Sequence, residues 1–217
     1  MTASLLDLGT VEYGKAWELQ KVLVERRARD EVPDTLILLE HPHVVTLGRK
    51  TSPANLNPQG VPVFTVERGG DATYHGPGQL VGYPIVKLHD HDVRRHVKVI
   101  EKALIASVGR FGIEAGLEEG HPGVWVAGRK LASIGVAVTN WVTYHGFALN
   151  VNTDMSYFNL IRPCGLDPST MTSMEMLLGR RLEFAAVRSA VAKEFSSAAG
   201  EAFVRQEPAK LPSLAKH

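Results

Sequence analysis

Apolar positions recur along this chain with two periods, one near two residues and one near three and a half. SLLDL at 4–8 reads as a short strand. Residues 11–29 place Tyr13, Ala16, Trp17, Leu23 and Val24 on one side and end in the charged run ERRARD, the pattern of an amphipathic helix. TLILLE at 35–40 and a run at 44–47 read as strands, NLNPQG at 55–60 as a turn, and VPVFTVE at 61–67 alternates as a strand does. Another strand is expected at 80–86. A second helix fits 92–110, where Val93, Val97, Ile100, Leu104 and Val108 are spaced 4, 3, 4 and 4 to give one apolar stripe. Strand-like runs follow at 123–127, 130–138 and 145–151. A third helix fits 184–203, with Phe184, Val187, Val191 and Phe195 spaced 3, 4 and 4. The tail from about 205 to 217, with two prolines in EPAKLPSLAKH, is expected to fray. Strands outnumber helices and many are consecutive, without strict strand–helix alternation. The expected class is α+β, a mixed β-sheet with packed helices. With no internal repeat and no low-complexity linker, residues 1–217 read as one domain.

Composition narrows the function classes. Lys+Arg number 24 against 23 Asp+Glu, a formal charge of +1 over 217 residues. A protein that coats nucleic acid needs a strong basic excess, and none is present. The single cysteine, Cys164, rules out an intramolecular disulfide, thiolate-rich zinc sites and cysteine-ligated iron–sulfur clusters, and it fits a reducing compartment. No uninterrupted apolar run exceeds four residues, whereas a membrane-spanning helix needs about 20. The start, MTASLLDLG, lacks the basic and apolar stretches of a secretory leader, so a soluble cytoplasmic protein is expected.

Four features could carry chemistry. Residues 68–79, RGGDATYHGPGQ, hold four glycines in twelve positions. Glycines let a backbone approach a ligand and expose consecutive N–H groups, and Arg68, Thr73, Tyr74, His75 and Gln79 surround them with polar side chains. A tight connection between strands would also use glycine. The stretch lacks the lysine and hydroxyl of a phosphate loop and the spacing of a dinucleotide loop. Cys164 lies in RPCG, between a stiffening proline and a glycine that leaves room beside the sulfur. It is a nucleophile if a cation or base stands near, and otherwise a small buried hydrophobe. Lys130 follows Gly128-Arg129 between two apolar runs. Read from its neighbours alone it is a solvated hairpin lysine, although facing inward it could serve as a base or steady a thiolate. Among the histidines, H-x-H at 41–43 is too common a spacing to indicate a metal, and His145 reads as an interior histidine bonded to backbone. Met171, Met174 and Met176 read as core, and the paired basic residues as solvated faces, one of which could steer an acidic partner.

Three blocks together resemble the lipoyl(octanoyl) transferase family: RGGDATYHGPGQLVGYPI at 68–85, GVWVAGRKLASIGVAVTNWVTYHGFALNV at 123–151, and PCG at 163–165. The resemblance implies a fold similar to the catalytic domain of biotin and lipoate protein ligases. It implies transfer of an octanoyl group from octanoyl-acyl carrier protein to a lysine ε-amine of lipoyl domains, those of 2-oxoacid dehydrogenase complexes and of the glycine cleavage H protein. This is the first step of endogenous lipoate assembly, and it involves neither a cofactor nor a metal. By position, Cys164 corresponds to the acyl-accepting cysteine and Lys130 to its partner lysine. Arg68, Gly69, Gly70, Asp71, Ala72, Thr73, Tyr74 and His75, with Ser133, Ile134, Gly135 and Gly146, Phe147, Ala148, correspond to substrate-binding segments. GLEEGHP just before Gly123 is not matched, and no role attaches to His121. Three rivals differ in chemistry. An ATP-dependent ligase would activate a free carboxylate, an amidotransferase would move octanoyl between two lipoyl domains, and a non-catalytic carrier-binding module would form no covalent intermediate.

Overall fold

The run Leu36–Leu39 is shielded from solvent along its whole length, and its side chains divide between two cores. Leu36 and Leu38 join one apolar cluster while Ile37 and Leu39 join another, as the two-residue period of a strand with both faces covered requires. The computed structural model describes residues 2–51, 60–161 and 167–206. Its strands in chain order are β1 (Ser4–Thr10), β2 (Thr35–Glu40), β3 (Val44–Leu47), β4 (Val63–Thr65), β5 (Thr73–His75), β6 (Gln79–Ile85), β7 (Gly116–Glu118), β8 (His121–Val126), β9 (Arg129–Thr139), β10 (Val142–Asn150) and β11 (Val204–Arg205). The helices are α1 (Tyr13–Ala28), α2 (Val93–Gly109), α3 (Met174–Leu178) and α4 (Phe184–Ala199). One eight-stranded sheet has the order β11-β1-β2-β6-β10-β9-β8-β7, and a small sheet has the order β4-β3-β5. The large sheet is mixed: β1 runs parallel to β2 and β11, and the pairings from β2 onward are antiparallel. The fold is therefore α+β.

Helix α1 covers one face with Ala16, Leu19, Leu23 and Val24, against Ile37, Val81, Tyr83 and Ala148. Helices α2 and α4 cover the other with Ile100, Leu104, Val108, Val187, Val191 and Phe195, against Leu38, Leu80, Leu131 and Leu149. Asp92 caps α2, its side chain accepting from the Arg95 N–H at 3.0 Å. Helix α4 stops short of the expected 203 because Gly200 turns left-handed at φ 70°. The freed chain then adds β11 beside β1, so Arg205 pairs with Leu5 where fraying was expected to begin. Residues 207–217 and all but the last residue of the turn expected at 55–60 lie outside the described residues. Met171 and Met174 are core, but Met176 is half exposed, on the outer side of the short helix α3.

One glycine in the middle of the sheet shapes what lies above it. Gly82 of β6 pairs with Phe147 of β10, and a Cβ at Gly82 would run into the Phe147 ring. Gly82→Ala is expected to destabilise the protein by about 1–3 kcal/mol through this overpacking. Urea unfolding measures it, and an unchanged midpoint would show that the ring can step aside.

Candidate active site

A cavity of about 490 Å³ runs over β9 and β10. It is lined by Arg68, Gly69, Gly70, Asp71, Ala72, Thr73 and His75, by Ser133, Ile134 and Gly135, by Gly146, Phe147 and Ala148, and by Lys130. Three segments far apart in sequence thus meet on one wall. The ladder explains two of them, since β9 and β10 pair antiparallel with Gly146 opposite Gly135 and Ala148 opposite Ser133. Tyr74 is the exception. In β5 it points away from the face shared by Thr73 and His75. Its ring is buried in a separate cluster with Phe158, and its hydroxyl lies 2.7 Å from His43 Nδ1.

Lys130 departs from the solvated lysine that its neighbours suggest. The turn falls one residue earlier than expected, on Ala127 and Gly128 at φ 48° and 73°, so β9 begins at Arg129 and Lys130 is inside the sheet. It pairs with Trp125, whose ring lies 5.3 Å from Lys130 Nζ, and the residue is only 5% exposed. A bridge joins Lys130 to Met171, and its carbonyl accepts from the Thr172 N–H at 3.0 Å. Cys164 lies outside the described residues, with Pro163 and Gly165. The described residue before this segment, Ile161, is buried in the same cluster as Met171.

The glycine-dense stretch is held by its own arginine. Arg68 Nη2 donates to the Thr46 carbonyl at 2.7 Å, and Nη1 donates to the carbonyls of Asp71 at 2.7 Å and Gly69 at 3.1 Å. The Gly69 N–H donates to Val136 O at 3.0 Å, which ties the loop to β9, and the Ala72 N–H donates to Asp71 Oδ1 at 2.6 Å. Those two amides are committed to the fold and are not available to an oxyanion.

Three buried imidazoles lie at or behind the cavity. His41 sits between Val11 O at 2.6 Å and Tyr83 OH at 2.7 Å, and burial pushes its pKa down to about 4. His75 Nδ1 lies 2.8 Å from Gln79 Oε1, and burial, with His41, Arg68 and His145 nearby, holds its pKa well below the usual value. His145 is not bonded to backbone through its ring. Both ring nitrogens are buried without a hydrogen-bond partner, and Nε2 is 3.6 Å from Glu67 Oε2, too long for a hydrogen bond. Burial and then the Arg68 charge lower its pKa to about 4. Its backbone is left-handed at φ 56°, and its N–H donates to Gln20 Oε1 at 2.8 Å. Sequence reasoning misses Tyr13, Lys50, Tyr83, Val97 and His121, which also line the cavity. Val97 lies on the apolar stripe of α2 and looks like core by spacing. His121 opens β8, in a segment without a recognisable pattern.

Comparison with known proteins places this geometry in a family. The model of the lipoyl protein ligase A/B catalytic domain matches residues 12–196. An octanoyltransferase of Syntrophobacter fumaroxidans is 47% identical, over 88% of this chain and 87% of that one. Among solved structures, a lipoate-protein ligase A bound with ATP superposes with a TM-score of 0.78 at 17% identity, over 95% of this chain and 89% of that one. The biotin protein ligase from Aquifex aeolicus gives 0.55 at 13% identity, over 92% and 70%. These two likenesses concern the fold. The chain belongs to the lipoyl protein ligase A/B catalytic domain family.

The buried histidines make stability pH-dependent in one direction. His41 and His145, together with His96, which is buried on α2, have folded pKa values near 4, below the unfolded value near 6.5, so the unfolded state binds more protons in between. Their contribution is complete above pH 6.5 and is lost as pH falls toward 4. The urea midpoint is expected to drop between pH 7 and pH 5, and a flat midpoint across that window would mean that these rings fold in the charged form.

Proposed function

We propose that this member of the family is an acyltransferase that moves an octanoyl group from octanoyl-acyl carrier protein to the lysine ε-amine of a lipoyl domain, through a thioester on Cys164. The observation that carries this reading is Lys130, buried on the wall of a cavity it shares with the 68–75, 133–135 and 146–148 segments. The 47% identity to an octanoyltransferase adds its support.

The chemistry divides into two steps. The Cys164 thiolate attacks the octanoyl thioester, a tetrahedral oxyanion forms, and the carrier thiolate leaves. One thioester replaces another, so this step is nearly isoenergetic. The acceptor amine then attacks the acyl-Cys164 carbonyl, a C–N bond forms, the C–S bond breaks, and a stable amide results. A free lysine amine has a pKa of about 10.4 and arrives mostly protonated, so a base must take its proton. Lys130 is assigned that task and that of partnering the thiolate. The cavity has length enough for the chain. Lys130 and Gly135 are five positions apart on β9, or roughly 16 Å at about 3.3 Å per residue. Seven C–C bonds of an extended octanoyl chain span about 8–9 Å, judged from the reach of an extended backbone.

The same reading takes residues 1–217 as one catalytic domain working in the cytoplasm. Its acceptors are the lipoyl domains of 2-oxoacid dehydrogenase complexes and of the glycine cleavage H protein. No helix among the described residues is long and apolar enough to cross a membrane.

Intact-mass analysis after mixing with octanoyl-loaded carrier, followed by peptide mapping, tests the reading directly. Cys164→Ala is expected to take up no octanoyl group, and a retained adduct on that variant would end the mechanism. Lys130→Ala is expected to slow transfer by about 10²-fold or more while the protein stays folded by circular dichroism. Undiminished turnover would remove Lys130 from the chemistry.

A further inference from the structure

A chain of buried amides connects two parts of the cavity wall. Gln79 of β6 and Asn150 of β10 face each other in the ladder, and each is 1% exposed. Gln79 Nε2 donates to the Tyr74 carbonyl at 3.1 Å and to Asn150 Oδ1 at 2.9 Å. Asn150 Nδ2 donates to the Thr172 carbonyl at 3.0 Å, and the Thr172 N–H donates to the Lys130 carbonyl at 3.0 Å. At the other end Gln79 Oε1 meets His75 Nδ1 at 2.8 Å.

The two backbone carbonyls fix the polarity of the chain. Thr172 O and Tyr74 O can only accept, so the Asn150 amide must present its NH₂ to Thr172 and its oxygen to Gln79. The Gln79 NH₂ then faces Asn150 and Tyr74, and its oxygen faces His75. His75 Nδ1 must carry the proton in that bond, which leaves the lone pair of the neutral ring on Nε2. Nε2 has no hydrogen-bond partner among the described residues, and the residue lines the cavity. Among the described residues, the charged and titratable groups around the ring are Tyr13 of α1, His41, Arg68, and His145 of β10. Among them the nearby positive and imidazole groups oppose a second proton.

We infer that Gln79 and Asn150 are positioning residues: their amide relay presents His75 Nε2 to the cavity as a standing hydrogen-bond acceptor for the N–H of the incoming amine, and its far end holds Lys130 on the same wall. The inference rests on the acyl-transfer reading above. An acyl chain offers no N–H, so the partner comes from the acceptor amine or from an amide of the carrier's arm, and the acceptor amine is the source assigned here. Lys130 takes the proton of the arriving ammonium. In the amide-forming step His75 then holds one N–H of the neutral nucleophile and so turns its lone pair toward the acyl carbon, while the second proton goes to the Cys164 sulfur as the C–S bond breaks.

The test separates the two half-reactions. Enzyme is charged with octanoyl-loaded carrier, isolated, and mixed with a lipoyl domain between pH 6 and pH 8. Gln79→Glu puts a carboxylate against Nδ1–H, which favours the imidazolium and removes the Nε2 lone pair as pH falls. Its amide-forming rate relative to wild type is expected to drop about tenfold from pH 8 to pH 6. Asn150→Ala breaks the relay without adding charge. It is expected to lower kcat of that step about tenfold with KM for the lipoyl domain unchanged, and it decides the matter if Gln79→Glu does not fold. A variant-to-wild-type ratio that stays flat with pH, an unchanged kcat in Asn150→Ala, or a loss confined to the charging step would overturn the inference. Failure of the wild-type enzyme to become charged would instead sink the acyl-transfer reading.

Discussion

A guanidinium almost cut off from water holds one side of the cavity. Arg68 is 8% exposed, and a buried charge is tolerated only where acceptors replace its hydration. The carbonyls of Thr46, Gly69 and Asp71 are among those acceptors, and they belong to β3 and to the arginine's own loop. The loop therefore cannot relax outward without stranding the charge. The segment behind it is fitted to the same arrangement, because the N–H of Lys50 donates to Gly70 O at 3.0 Å and that of Arg49 to Arg68 O at 3.2 Å. One side chain thus fixes the backbone of a stretch whose glycines would otherwise leave it many conformations.

The same charge adds to what burial does to the protonation of its surroundings. Arg68 disfavours a proton on His75 and on His145, adding to the effect of burial in both. It also opposes the rise that burial imposes on the Tyr13 hydroxyl. The imidazoles at the cavity are consequently neutral near pH 7, each offering one donor and one acceptor rather than a second positive charge. A fold that keeps a fixed positive charge on Arg68 and its histidines neutral can seat an uncharged acyl chain and still present lone pairs to an entering amine.

Much of this is legible in the sequence, and the parts that are not share a cause. The apolar stripes of α2 and α4 and the run TLILLE mark elements within a few residues of those found, because burial on one helical face or on both strand faces leaves a periodic trace. β5 is hidden inside the glycine-dense stretch, since three residues are too few to show a period. β11 owes its place to pairing with β1, a contact that nothing near Val204 announces. At the site, the matched blocks name most of the cavity wall, yet two assignments turn on orientation. Tyr74 and His75 are neighbours that point to opposite sides of a strand, and Lys130 looks solvated until the hairpin turn is placed on Ala127-Gly128 rather than on Gly128-Arg129. Spacing records which residues share a face only after the register is known.

Register also explains why there is space over the sheet at all. Gly135 and Gly146 stand opposite each other in the β9–β10 ladder, so two adjacent positions there carry no side chain. The loop comes down into that gap: a Cβ on Gly135 would lie 3.0 Å from Gly69 O and 3.2 Å from Arg68 Cδ. With a Cβ there, Gly69 and the arginine stem would have to shift by a few tenths of an ångström, against the bond from the Gly69 N–H to Val136 O. The cavity is thus the room left between a sheet stripped of side chains at one rung and a loop held just above it. Its wall at Lys130 is built differently, by a strand pairing with Trp125 and a bridge to Met171. A long apolar ligand needs the open part and a reacting group needs the rigid part, and the ladder of β9 supplies both because its side chains change from lysine to glycine within five residues.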